Sequence, residues 1–488
     1  VTEKIRKDII IRDKLRKGDI VEIEVHNLAP TGKSVGRFEG MVVMADFGVP
    51  GDTIECEITE VKRRFAFAKM LRVVTPSDRR IEPRCRHFGR CGGCNWQAIS
   101  YDDQLKFKVE FVQAALQRIG KLEHVAIDEP VAAAEPFFYR NKMEYSFGSD
   151  EQRPAAGLHV KGRYDQVFDL EECYLQSERS VAALKLIRSK AHELGISFMD
   201  ERTGSGELRF LVVREGKLTG DFMLNLVTFN REFEGKDALF KAIVDEAEGL
   251  TSLFHTVNSR KANIAVGDEV NVVFGEEFLT ETIGRLEFKI TPFSFFQTNS
   301  RQTQNLYDVI VEHAELSEQS RVLDLFCGCG TIGMYLADRV KSVVGVEINE
   351  DSIEMAKHNA ELNGITNTEF FAGDVRRKLV ELAENNEQFD LVVTDPPRAG
   401  MDSKAIRRLV RLRPQRIVAV SCNPATFARD LAEFQRLGYR TTRVTPVDMF
   451  PQTAHVEAVA TLVPDPEYPE PESEESGPKP TQNDSSES

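Results

Sequence analysis

The chain has 488 residues, of which 41% are hydrophobic and 29% charged, with a formal net charge of -15. That length exceeds what one hydrophobic core supports and predicts two or three domains, and no run approaches the ~20 apolar residues of a membrane span. Residues 1–20 are charged throughout, so no secretory signal is expected and the cytoplasm is the expected compartment; there, eight cysteines point to metal binding or catalysis before disulfides.

Charge is unevenly spread. Residues 1–11 read as a basic extension, and the tail 465–488, rich in Pro, Glu and Ser with eight acids and one lysine, reads as disordered. Between Lys62 and Arg90 stand ten Lys or Arg against three acids in residues 60–90, a patch able to hold a phosphate backbone on an acidic chain or simply to form a solvated face. Residues 12–75 predict a small β-barrel: "DIVEIEV" and "DTIECEITEV" alternate apolar with polar, and "PTGKSVGRFEG" and "FGVPGD" supply turns. Its length and glycine pattern resemble the TRAM domain, an OB-like RNA-binding module, which implies RNA as a partner.

Residues 76–290 read as a central α+β domain. It opens on a cysteine knot, followed by a helix with an apolar stripe of Leu105, Val109, Val112, Leu116 and Ile119. "RCRHFGRCGGCNW" places Cys85, Cys91 and Cys94 at C-x5-C-x2-C, with Cys173 further on. Four cysteines with one tight pair are a metal signal, and four thiolates suit zinc or an iron–sulfur cluster. Cys56, Cys327 and Cys329 read as buried small residues.

Residues 291–464 alternate strand and helix, predicting a doubly wound parallel sheet. "RVLDLFCGCGTIG" runs from a strand through a glycine loop into a helix, and Glu347 ends the next strand, where an acid takes ribose hydroxyls. Asp324, read as an acid facing the ligand, suits a cationic sulfonium better than a diphosphate, so S-adenosylmethionine is favoured over NAD. "DLVVTDPPRAG" ends a strand in Asp395, and Cys422 stands at the tip of the next strand, on the ligand-binding edge. A thiolate has a purpose there: C5 of uracil is a poor nucleophile until a thiolate adds at C6. The C5 proton must then be removed, and Glu457 in "PQTAHVEAVATLV" is the candidate base, with His455 close by.

In order, "FSFFQTNS", "DLFCGCGTIG", "DPPRAG", "SCNPATFARD" and "HVEAVATL" resemble the RNA 5-methyluridine methyltransferases. The resemblance implies a C-terminal Rossmann-like methyltransferase domain in a multidomain α/β protein. It also implies S-adenosylmethionine contacts from Gln297, Phe326, Glu347, Asp374 and Asp395, with Cys422 as nucleophile and Glu457 as base. Thr331 departs from the asparagine frequent in the family, which leaves its cofactor contact open. Resemblance to the iron–sulfur branch favours a 4Fe-4S cluster on Cys85, Cys91, Cys94 and Cys173, with zinc as the alternative. The expected substrate is a uridine of 23S ribosomal RNA, the alternatives being a tRNA uridine or a non-catalytic RNA-binding assembly factor. A monomer is expected, and Phe137, Phe138, Tyr139 and Phe296 are candidates for base stacking or core packing.

Overall fold

The computed structural model describes residues 15–468 except Glu201 and residues 261–263. The basic extension and nearly all of the acidic tail lie outside the described residues. Among these residues no helix is long and apolar enough to cross a membrane.

Strands β1 (Ile20–Leu28), β2 (Ser34–Phe38), β3 (Met41–Ala45), β4 (Thr53–Val61) and β5 (Phe65–Thr75) close into a barrel in the order β1-β2-β3-β5-β4. The period-two pattern sends Val21, Ile23 and Val25 inward against Ile54, Cys56 and Ile58 while Glu22 and Glu24 face water. Burial pushes the Cys56 thiol up to about 11, so it acts as a small hydrophobe. The basic segment is less available than its composition predicts. Arg80 forks onto the buried Asp52 carboxylate and also donates to Phe47 O. Arg72 pairs with Glu55, Arg86 with Glu172, Arg90 with Asp150 and Lys62 with Glu60, while the Arg84 guanidinium lies 4.4–5.2 Å from the rings of Phe137, Phe138 and Tyr174. Much of the patch is therefore already paired within the protein, and Arg80 ties the segment after the barrel to it.

Helix α1 (Tyr101–Ala115) begins at the Ser100 cap, and β6 is the two-residue strand Ala126–Ile127. The central sheet comprises β7 (Lys142–Asp150), β8 (Arg153–His159), β9 (Val167–Asp169), β10 (Leu208–Glu215), β11 (Phe222–Thr228), β12 (Ser252–Val257) and β13 (Glu269–Gly275), ordered β13-β12-β11-β10-β7-β8-β9. Helices α2 (Glu178–Glu193) and α3 (Lys236–Glu246) bury Leu184, Ile187, Leu239 and Ile243 in its core. The hairpin β14 (Leu279–Ile283) and β15 (Leu286–Ile290) packs into the core of the C-terminal region.

That region contains α4 (Ser300–Ala314), β16 (Arg321–Leu325), α5 (Thr331–Leu336), β17 (Ser342–Glu347), α6 (Glu350–Leu362), β18 (Thr368–Ala372), α7 (Val375–Glu384), β19 (Leu391–Thr394), α8 (Ser403–Val410), β20 (Arg416–Ser421), α9 (Pro424–Arg436), β21 (Tyr439–Val447) and β22 (Glu457–Pro464). The sheet order is β18-β17-β16-β19-β20-β22-β21-β6, and β22 runs antiparallel to both neighbours. Strand β6, from the segment expected in the central domain, pairs with β21 through Ala126 and Ile127. Helix α1 likewise packs on this region, burying Gln104, Phe107, Lys108, Phe111, Val112 and Ala115. The expected stripe of this helix is corrected: only Val112 and Leu116 of it are fully buried, and Ile119 is exposed.

Candidate active site

Strand β16 delivers Asp324 to the start of a tight loop. Phe326 has φ +64°, Gly328 +52° and Gly330 +73°, so the chain reverses and enters α5 within five residues. Asp324 does not face the loop's open side as expected. Its side chain is fully buried beneath the loop and accepts the Gly333 N–H at 2.9 Å, tying helix to strand. At Gly330 a Cβ would stand 2.7 Å from the Phe370 ring. Gly330→Ala is therefore expected to destabilise by about 1–3 kcal/mol through overpacking and a further ~1–2 kcal/mol through left-handed backbone, read as a lower denaturation midpoint together with lost cofactor binding. At Gly328, by contrast, the nearest atom to an added Cβ is Phe295 Cδ1 at 3.8 Å, so the loop's outer side is open.

Around that opening stand most of the residues the sequence nominates. Glu347, at the tip of β17, accepts the Gly328 N–H at 3.3 Å and the backbone N–H groups of Ile348 and Asn349. Asp374 caps α7, pairs with Arg376 at 2.9 Å, and is held below the usual carboxylate range by that arginine. Its neighbour Gly373 donates to Glu347 O at 2.7 Å. Thr331 bonds the Tyr307 hydroxyl at 2.6 Å, so its oxygen is already engaged where the family often has an amide. Gln297 is buried, and its carbonyl accepts the Asn141 amide at 2.8 Å. Sequence reading missed Phe295 and Ile348, whose exposed apolar side chains flank the loop; a large hydrophobe left in water was the available signal.

Cys422 is half-buried at the end of β20, where Asn423 caps α9 and Pro424 takes its first position. Strands β20 and β22 pair with Ser421 opposite Ala458, and the next pair in that register sets Cys422 opposite Glu457. Burial, then Glu457 and Asp395, push the Cys422 thiol up to about 11, against the pull of Arg398. Glu457 is buried with Oε2 lacking a protein partner, and burial with Asp395 nearby raises its carboxyl well above the usual range. Asp395 is raised to about 6 by burial. His455 lies 3.5 Å from the Arg398 guanidinium and is lowered to about 4 by burial, with Arg398 next in weight; it is neutral at pH 7. Of the four aromatics, Tyr139 and Phe296 take the core-packing alternative, and Phe137 and Phe138 lie against the Arg84 guanidinium.

The four cysteines meet. Cys85, Cys91, Cys94 and Cys173 line one cavity of about 350 Å³. Burial raises each thiol, and backbone N–H groups of His87, Gly93, Leu175 and Gln176 oppose the rise at Cys85, Cys91 and Cys173. Among the described residues no three metal-ligating side chains converge tightly enough for a single ion. Four thiols around one cavity supply the donor set of a four-thiolate site. Cys327 and Cys329 are buried in the glycine loop.

A tRNA (uracil-5-)-methyltransferase family model matches residues 239–463, and a TRAM domain model matches residues 14–71. A protein of Halalkalibacterium halodurans named as an uncharacterized RNA methyltransferase is 38% identical over 92% of this chain and 98% of its own length. One of Chlorobaculum tepidum with the same description is 39% identical over 92% and 97%. The chain belongs to the RNA (uracil-5-)-methyltransferase family. The crystal structure of Pyrococcus abyssi tRNA (uracil-54, C5)-methyltransferase in complex with S-adenosyl-L-homocysteine matches with a TM-score of 0.73 and 33% identity, covering 91% of this chain and 99% of that one. This family member is an S-adenosylmethionine-dependent RNA (uracil-C5) methyltransferase with a TRAM barrel.

The acids under and around the loop have a consequence for its ligand. Asp324 is raised to about 8 by burial, with repulsion from Asp395 and Glu347 adding to it. A cationic sulfonium stabilises the ionised carboxylates, so S-adenosylmethionine should release protons on binding below pH ~8, and its affinity should rise with pH up to that point. Calorimetry in buffers of differing ionisation enthalpy is expected to show more proton release for S-adenosylmethionine than for its neutral-sulfur product S-adenosylhomocysteine.

Proposed function

We propose that this enzyme methylates C5 of a uridine in 23S ribosomal RNA through Cys422 and Glu457. The observation that carries the mechanism is the juxtaposition of Cys422, Glu457 and Asp395 beyond the ends of β20 and β19 and at the start of β22, with β19 directly beside the β16 strand that leads into the glycine loop. Cys422 Sγ adds to C6, and electron density moves to C5. S-adenosylmethionine supplies the methyl group when bound. The bond from the methyl carbon to sulfur breaks as the bond to C5 forms. The Glu457 carboxylate then removes the C5 proton, the C5–C6 double bond re-forms and Cys422 leaves as a thiolate. Arg398 favours the thiolate at both ends of the sequence. In this reading Gln297, Phe326, Glu347, Asp374 and Asp395 hold the cofactor, with Thr331 acting through Tyr307.

Cys85, Cys91, Cys94 and Cys173 would hold a 4Fe-4S cluster with no iron left open for chemistry, leaving it a structural staple. Iron and sulfide analysis of anaerobically purified protein should return four irons per chain; zinc alone would refute the cluster. The division follows the same reading: a barrel over residues 12–75, a central part over 76–290 that lends α1, β6 and the β14–β15 hairpin to its neighbour, and a methyltransferase part over 291–464. A tRNA substrate is the second reading, favoured by the likeness to the Pyrococcus abyssi enzyme. Labelled S-adenosylmethionine supplied with separate ribosomal and transfer RNA pools tests both: 5-methyluridine in 23S RNA is the expected product, label confined to tRNA favours the second reading, and no label in RNA overturns the function.

A further inference from the structure

The segment that leads into Glu457 is gripped from far away in the chain. Gln452, five residues before Glu457, is buried and has φ +68°, a left-handed backbone that side-chain-bearing residues rarely adopt. Gln104 reaches it from α1. The Gln104 carbonyl Oε1 accepts the Gln452 N–H at 2.9 Å, and Gln104 Nε2 donates to Gln452 Oε1 at 3.1 Å. A further donation from Nε2, to Ile99 O at 3.0 Å, anchors the same amide to the start of its own helix. The Gln452 carbonyl accepts N–H groups from Asn95 at 3.0 Å and Trp96 at 3.1 Å, the two residues after Cys94. Four residues along α1, buried Lys108 donates to Asp448 at 2.6 Å and to Phe450 O at 3.1 Å.

On the Cys422 side the ties are closer in the chain: Asn423 caps its own helix, and Asn423 Nδ2 and Thr426 Oγ1 donate to Arg398 O, each at 3.2 Å. Glu457 itself is buried with an unpartnered oxygen, so what aims its carboxylate is the path of the chain that delivers it. We infer that Gln104 is a positioning residue for proton removal: by locking Gln452 in its left-handed conformation it sets the Glu457 carboxylate against the C5 proton of the covalent intermediate. The inference rests on Glu457 being the base. It predicts a defect confined to one step, because addition at C6 and methyl transfer need Cys422 and the cofactor loop, neither of which Gln104 touches.

The test follows RNA tritiated at uracil C5 under single-turnover conditions, comparing formation of S-adenosylhomocysteine with release of tritium. In the wild-type protein the two should coincide. In Gln104→Met tritium release should lag by about 10- to 100-fold, the effect of a small misplacement of a reacting group, and an SDS-stable protein–RNA adduct should accumulate, with binding of S-adenosylhomocysteine unchanged. Coincident time courses in Gln104→Met overturn the inference while Glu457→Gln still traps adduct. Coincidence in Glu457→Gln overturns the base assignment and the inference with it. Two further substitutions carry the test if Gln104→Met does not fold. Gln452→Gly, free to adopt positive φ, should keep release close to transfer, whereas Gln452→Val should separate them; identical behaviour of the two overturns the inference.

Discussion

Replacing Cys422 by alanine is expected to abolish methyl transfer, by a factor on the order of 10⁴ or more, while leaving S-adenosylhomocysteine binding intact. The asymmetry follows from position. Cys422 lies beyond β20, whereas the glycine loop follows β16, with β19 between them in the sheet, so the thiol can be lost without disturbing the cradle. Without addition at C6 there is no nucleophile at C5. The pH dependence has a definite sign. A thiol pushed up to about 11 by burial and by two acids is protonated at neutral pH, so the rate of adduct formation should climb with pH through the neutral range rather than level off near 8. Removing the opposing charge in Arg398→Ala should raise the thiol further and slow addition at any fixed pH below it. Residual 5-methyluridine in Cys422→Ala at more than a hundredth of the wild-type rate would sink the nucleophile assignment.

The parts of this molecule that were legible from its sequence are those specified by local chemistry. Barrel strands alternate because one face is buried. The glycine loop, the acid at the tip of β17 and the cysteine at the tip of β20 each follow a strand and precede a helix, so position along the chain predicts position on the sheet edge. What was illegible was set by partners hundreds of residues away. Gln104 and Lys108 are residue types that normally face solvent, and an apolar stripe seemed the natural buried face of α1. Their partners, Gln452 and Asp448, lie 348 and 340 residues along the chain, and nothing local signals them. A buried ammonium and a buried amide need partners, and the loop around Asp448 and Gln452 supplies them, so the face of α1 was chosen by that loop. The basic segment fails differently: composition reports its charge but not that Asp52, Glu55, Asp150 and Glu172 absorb it. Phosphate contact must then fall more heavily on the remaining cations, and salt dependence of RNA binding should be shallower than ten basic residues imply.

Glu457→Gln is expected to reduce turnover by roughly 10²–10⁴ yet to leave one methyl transferred per active site. Glutamine has the shape of a protonated glutamate, the form toward which burial and Asp395 push the Glu457 carboxyl. The substitution keeps the shape of the side chain and removes the ability to accept the C5 proton. It also removes a negative charge from beside Cys422, one of the influences that raise the thiol, so alkylation of Cys422 at a fixed alkaline pH should become faster as turnover collapses. Stability changes in the same direction as reactivity. A carboxyl whose folded-state pKa lies above its unfolded value binds more protons in the native protein, so its contribution to stability is lost as pH rises toward that folded value. The glutamine protein should accordingly unfold at a higher temperature than the wild type in alkaline buffer, and the difference should shrink as pH falls toward the unfolded carboxylate range. A burst of one methyl group, a faster thiol and a pH-dependent gain in stability all issue from one missing charge. A Glu457→Gln protein that shows no burst would place the base elsewhere.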